Sequence, residues 1–199
     1  MSTQTEIPLF PLSSILVPFG RMQLQIFEQR YLDLVSQCMK TNSGFGVVWI
    51  EQGYEVAGTS GAPLQLGDHG TYAEISDWDQ LANGLLGISI EGRRTFSLGE
   101  THILPSQQMM GQVTLHKPPQ SSPLLAQWSQ LSDVLKGLET HPHVQRMNLK
   151  IDHHDAWQVA YHLIQLLPLD ESLKHQMLGA SSLELMLGEL DATLNEISG

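Results

Sequence analysis

Ile7-Pro8-Leu9-Phe10-Pro11-Leu12 and, a little further on, Leu24-Gln25-Ile26-Phe27-Glu28-Gln29-Arg30-Tyr31 are the stretches whose reading decides the fold. In the first, apolar side chains are interleaved with two prolines. Proline has no N–H to give to a sheet, so Pro8 and Pro11 suit an edge strand that cannot donate on one side. Ile15-Leu16-Val17 reads as a short buried strand, and Pro18 and Gly20 mark a turn after it. Met22, Leu24 and Ile26 then alternate with Gln23 and Gln25, the period-two pattern of a half-buried strand. Here the period changes. Tyr31, Leu34, Val35 and Cys38 fall at i, i+3, i+4 and i+7, so they share one face of a helix, which Asn42 and Gly44 end. Phe27 and Tyr31 are placed to pack across the strand-to-helix junction. Glu28 suits the positive end of the helix, and Arg30 is within reach of the neighbouring loop. Residues 1–6 are polar and read as a frayed tail.

Working outward, Phe45 to Ile50 is a continuous apolar run flanked by glycines, too short for an ordinary helix, and reads as a central strand. Gln52 to Gly70 is rich in glycine and polar residues and reads as a loop. Thr71 to Ile75 is a strand, Asp77 to Gly84 a turn region, and Asn83-Gly84 a hairpin signal. Leu86, Ile88 and Ile90 alternate, Gly92 precedes Thr95, Phe96 and Leu98, and Met110 to Leu115 gives a last strand. Many short strands with one helix argue for a closed or nearly closed β architecture. Lys117 to Pro123 is a linker, and the period after it is helical. Leu124, Leu125, Trp128, Leu131, Leu135 and Leu138 form one stripe. Trp157, Ala160, Tyr161, Ile164 and Leu167 form another, with Asp155 as its cap and Pro168 as its stop. Asp170 caps a short helix ending near Gly179. Ser181 and Glu184 have capping-box spacing before a last stripe of Leu183, Leu187, Leu190, Leu194 and Ile197.

A second block of sequence accompanies the opening one. Gly70-Thr71-Tyr72-Ala73-Glu74-Ile75 is followed by Gly84 and then by Gly92-Arg93-Arg94-Thr95-Phe96, with Thr95 intruding before the aromatic residue. Leu167-Pro168-Leu169 with Lys174, Gln176 and Leu178 forms a third. In this order the blocks resemble the N-terminal, substrate-recognition domain of Lon proteases, along almost the whole chain. The resemblance implies an α+β fold, a PUA-like β pseudo-barrel followed by a small helical bundle. We place these at residues 5–117 and 123–197 and expect them to pack as one compact unit. It also implies recognition of polypeptide. In Lon proteases an ATPase and a Ser-Lys protease domain follow this region. The sequence holds no Gly-x4-Gly-Lys-Ser/Thr stretch to cradle phosphates, so the expectation is a stand-alone recognition domain without motor or protease. Gly70 and Gly92 of the second block are positions where a close turn is plausible.

Composition narrows the partners. The chain has 199 residues and a formal net charge of −11, with only 10 Lys+Arg set singly apart from Arg93-Arg94. Nucleic-acid binding needs clustered cations to displace counterions, and an anionic membrane repels such a chain, so neither is expected as a partner. Cys38 is the only cysteine and no basic, unbroken apolar leader is present, which fits a reducing, cytoplasmic setting. Cys38 also lies on the apolar stripe of its helix, where a buried, inert thiol is expected. No Gly-x-Ser-x-Gly is present. His141, His143, Asp152, His153, His154, Asp155 and His162 contain ligand types, but loop histidines near helix ends explain them without a converging site. No catalytic residue, metal or cofactor is therefore assigned. The rival functions are a peptidase-type hydrolase and an RNA- or small-molecule-binding sensor of PUA type. For polypeptide binding the tool is an exposed apolar patch. The candidates are Phe19 after the first strand, Trp78 in a turn, and the adaptable Met109 and Met110 before the last strand. The expected partners are unfolded or client polypeptide segments and a protease to which they are delivered.

Overall fold

The computed structural model describes residues 3–53 and 64–198. They fall into two compact units, the first ending at Pro118 and the second beginning at Pro119. Among the described residues there are six strands and six α-helices.

The first unit holds all the strands: β1 (Thr3–Leu12), β2 (Arg21–Ile26), β3 (Phe45–Gln52), β4 (Gln65–Gln80), β5 (Leu86–Ile103) and β6 (Met109–Leu115). Their order is β2-β5-β4-β3-β1-β6, and β5 also pairs with β6. Five strands therefore close a ring, and β2 hangs from β5 outside it. Closure works because β5 is long. Its first part, Leu86–Glu91, pairs with β2, and the later part, from Phe96, pairs with β6. A closed ring removes most sheet edges.

β1 shows how two prolines fit. Its pairs with β6 run from Thr3 to Pro8 and its parallel pairs with β3 from Leu9 to Leu12. Each half thus has one partner strand, and the missing N–H groups leave no ladder incomplete. The tail expected at residues 1–6 is therefore strand from Thr3 onward, held by β6. Ile15-Leu16-Val17 is not a strand. It is a buried irregular segment, tied down where the Thr71 hydroxyl donates to the Leu16 carbonyl (2.6 Å). The expected turn follows, with Gly20 N–H donating to Val17 O (3.0 Å).

The loop expected over 52–70 ends early, because β4 begins at Gln65; its residues 54–63 lie outside the described ones. The turn expected from Asp77 is strand up to Gln80, and the hairpin turn occupies only Leu81 to Leu85. Gly70 and Gly92 lie inside β4 and β5, not in turns. A Cβ on Gly92 would strike the Val17 carbonyl and one on Gly70 would strike Phe96, so both positions serve close approach. The residue that interrupts the Arg-aromatic motif is absorbed by a β-bulge. Tyr72 pairs with Arg94 but Ala73 with Gly92, which leaves Arg93 extra and returns Phe96 to the core.

The helix α1 (Gln29–Thr41) buries Tyr31, Leu34, Val35 and Cys38, the expected face, and ends at Asn42 in the left-handed conformation. That face joins Phe10, Ile26, Phe45, Ile88 and Ile90 in one core cluster, and Phe10 stacks on Tyr31 at 3.9 Å. A second cluster, around Leu9, Val48, Phe96 and Val113, fills the rest of the barrel.

The second unit contains α2 (Ser129–Glu139), α3 (Pro142–Arg146), α4 (Ala156–Leu166), α5 (Glu171–Leu178) and α6 (Leu183–Ser198). α4 is central and packs on α2, α5 and α6. Asp155 caps it by accepting from Trp157 N–H (3.0 Å). The first stripe starts later than its periodicity suggests. Leu124 and Leu125 precede a single 3-10 turn at Ala126–Trp128, Leu125 is exposed, and Leu131 and Leu135 are the buried members. α6 is capped by Ser182, which accepts from Leu185 N–H (3.3 Å), rather than by Ser181. Met186 joins its buried stripe and Ile197 leaves it.

Candidate polypeptide-binding surface

The four candidate residues all lie along β5, at three stations. Trp78 is on β4 opposite Ile88 near the start of β5. Phe19 is in the turn before β2, half-buried, with a left-handed backbone (φ 64°) that is rare for so large a side chain. Its N–H donates to Gly92 O (2.9 Å). Met109 and Met110 open β6 opposite Ile103 and His102, at the far end of β5. The structure brings the two methionines together and separates them from Trp78. Met109 packs on the second core cluster and Met110 is half-buried, whereas Trp78 is 57% exposed.

The exposure of Trp78 has a local cause. Directly paired residues of a ladder point to the same face. Leu24, Ile88 and Trp78 therefore form one row across β2, β5 and β4, with Met22, Ile90 and Ile75 beside it. Ile88 and Ile90 belong to the α1 core cluster, and Met22, Leu24 and Ile75 are partly buried against it. The row runs out from under this cover, and Trp78 is where it emerges. These three strands form a wing on the barrel.

Phe27 is exposed against expectation, on the opposite face of the wing from Trp78. Tyr31 packs into the junction, but Phe27 is 61% exposed. The signal was available: the alternation that sends Met22, Leu24 and Ile26 inward assigns residue 27 to the side of Gln23 and Gln25. At the hairpin joining β5 to β6, Ile103 and Leu104 are also exposed. Gln108, buried behind them, donates from Nε2 to the carbonyls of Leu9 and Met109 (both 2.8 Å) and so ties the hairpin to β1. Arg30 reaches the same hairpin at Gln107 O (3.5 Å) while pairing with Glu28 (2.9 Å), the loop contact expected of it.

The chemistry beside this surface is sparse. Ser97 Oγ lies 3.0 Å from His116 Nε2, the spacing of a nucleophile-base pair, but Nδ1 goes to the Thr95 hydroxyl (3.0 Å) and not to an orienting carboxylate. Burial, with His69 nearby, lowers the His116 pKa. Cys38 is buried, and burial raises its thiol pKa, which makes it a poor nucleophile. In the second unit His162 is a core residue of α4, its Nδ1 2.7 Å from Gln158 O, and not a loop histidine. His153 pairs with Glu139 (2.8 Å). Among the described residues, none of His141, His143, His153, His154 and His162 belongs to a converging group of three metal ligands. No described helix is long and apolar enough to cross a membrane.

The family model of the ATP-dependent protease La (LON) substrate-binding domain matches residues 6–195. The chain belongs to this family. The crystal structure of a Lon N-terminal domain protein from Xanthomonas campestris is similar to it at 31% identity and a TM-score of 0.74, over 94% of this chain and 98% of that one. The N-terminal domain of a Mycobacterium avium complex Lon protease shares the fold, with a TM-score of 0.59 at 15% identity over 94% of this chain and 96% of that one. No curated protein sequence matches the chain. The LON substrate-binding family accounts for the α+β architecture and for both sequence blocks of the first unit.

Proposed function

We propose that this LON-family chain binds segments of polypeptide without processing them, and acts as an adaptor that passes clients to a protease. The observation that carries the reading is the match of a substrate-binding family along nearly the full chain. The barrel unit supports it with exposed apolar side chains at both ends of β5, Trp78 at one and Ile103 and Leu104 at the other, and with Phe27 on the opposite face at the end of β2. Large apolar side chains grouped at a surface mark interaction sites. The four residues singled out in the sequence, Phe19, Trp78, Met109 and Met110, divide between these ends and the turn that joins β2 to the barrel.

The test compares retention of the protein on an immobilised unfolded chain with retention on the same chain folded. Selective retention on the unfolded form is expected; equal retention would count against the proposal. Casein incubated with the protein, with and without ATP, is expected to stay intact. Turnover that is lost in Ser97→Ala would show a hydrolase instead.

A further inference from the structure

Among the described residues the wing has two open strand edges, and the structure treats them differently. Beyond Ala73, β4 has left β3 and, among the described residues, pairs with β5 alone. The hairpin closes where Leu81 N–H donates to Leu85 O (2.9 Å). Bonded and non-bonded pairs alternate along an antiparallel ladder. Asp79 with Gly87 and Asp77 with Ser89 are therefore the bonded pairs, and the N–H groups of Trp78 and Gln80 point away from β5. Both are already taken. Trp78 N–H donates to Asp77 Oδ1 and Gln80 N–H to Asp79 Oδ1, each at 2.8 Å. A strand approaching this edge meets carboxylates instead of free donors.

The edge of β2 lacks this protection. The same alternation turns Leu86, Ile88 and Ile90 toward β2. Gly92 confirms the phase: its carbonyl accepts from Phe19 N–H and its N–H donates to Gly20 O, both at 2.9 Å. Met22, Leu24 and Ile26 are then the bonded partners on β2, and the N–H and C=O groups of Gln23 and Gln25 face outward. Both residues are exposed, and among the described residues no strand lies on that side of β2. On one face of this edge are the partly buried Met22 and Leu24. On the other face are the exposed Gln23 and Gln25, with Arg21 opposite Glu91, and beyond β5 the carboxylates of Asp77 and Asp79.

We infer that the outer edge of β2 is the site where an extended polypeptide segment is captured, by adding to the sheet as a further strand. The inference rests on the polypeptide-binding function proposed above and specifies its ligand. The segment is recognised through its main chain, at Gln23 and Gln25. It carries apolar side chains at alternate positions, which lie beside Met22 and Leu24, and polar ones between them, beside Gln23 and Gln25. Main-chain pairing gives affinity without demanding one sequence, and the alternating side chains give preference.

Reduced, alkylated ribonuclease A, an unfolded cationic chain, is the probe. In the double variant Gln23→Pro, Gln25→Pro the two outward donors disappear while the bonds to β5 keep their partners, and Met22 and Leu24 are already in the extended conformation that proline asks of the residue before it. Binding is expected to weaken roughly tenfold or more, whereas Gln23→Ala, Gln25→Ala should bind as the unaltered chain does. Amide exchange of the unaltered protein gives a second measure that needs no variant: the Gln23 and Gln25 amides should slow when the probe binds. Undiminished binding by a folded proline variant, or unchanged exchange at these amides in the bound protein, would overturn the inference while leaving the polypeptide-binding function in place. Failure of the unaltered protein to bind the probe at all would remove both.

Discussion

A few buried polar contacts fix the backbone where the strand pattern gives out. Thr71 is fully buried, and its hydroxyl is the tether of the irregular segment before β2. Thr71→Val keeps the shape and leaves the buried Leu16 carbonyl unpaired, so stability should fall by about 1–3 kcal/mol. Urea unfolding should show a lower midpoint at unchanged slope; an unmoved midpoint would mean water serves that carbonyl equally well. His116 gives a second test. Its pKa is held below the ordinary 6.5, by burial first and then by His69. The folded state thus favours the neutral ring, and the unfolded chain binds more protons. The contribution of His116 is complete above pH 6.5 and is lost as pH falls through the lower folded value. Stability against pH should drop more steeply on this acid side for the unaltered protein than for His116→Gln, with equal slopes refuting the assignment. Contacts of this kind were not legible in the sequence, since Thr71, Leu16, Thr95 and His116 meet only once the barrel closes. The exposure of Phe27 was legible, because the parity of β2 already assigned it.

Among the elements, the helices were the easier to read. α1 shows its buried face as an unbroken 3.6-residue stripe with Asn42 at its end, whereas α4, started by Asp155, buries every residue from Val159 to Ile164 and so hides its stripe. Strand ends were harder. Asp77 and Asp79 suggested a turn, because exposed aspartates favour turns, yet they sit on β4 and use that local bonding habit to close its edge. Strand β5 looked like two pieces because Gly92 interrupts it, and its bulge at Arg93 hides the alternation. The edge role of the aspartates has a measurable consequence. In Asp77→Thr, Asp79→Thr the β-branched residues suit a strand, and the Trp78 and Gln80 donors become free. An open edge is a template for another chain. Sedimentation should therefore show larger species growing with concentration, beyond any formed by the unaltered chain. If the variant sediments as the unaltered chain does at every concentration, the aspartates are not what closes this edge.

At the scale of the whole molecule, net charge and fold class were the properties the sequence disclosed most directly, and they bear on function together. An excess of eleven negative charges opposes nucleic acid and favours encounter with cationic chains. On the wing Arg93 is engaged by Glu74 (2.8 Å) and Glu91 (3.0 Å) and Arg21 lies opposite Glu91, so the field that draws a cationic chain is that of the net charge of the molecule. Long-range attraction of this sort speeds association more than it deepens the bound state. It is also screened: the Debye length shrinks from about 30 Å at 0.01 M salt to about 3 Å at 1 M. Main-chain pairing at β2 and apolar contact with Met22 and Leu24 are short-ranged and escape that screening. Stopped-flow measurements with unfolded ribonuclease A should therefore show an association rate that falls steeply across this salt range and a dissociation rate that changes little. A dissociation rate rising as steeply as the association rate falls would place the binding energy in the charges, and would leave the strand edge with no part in holding the client.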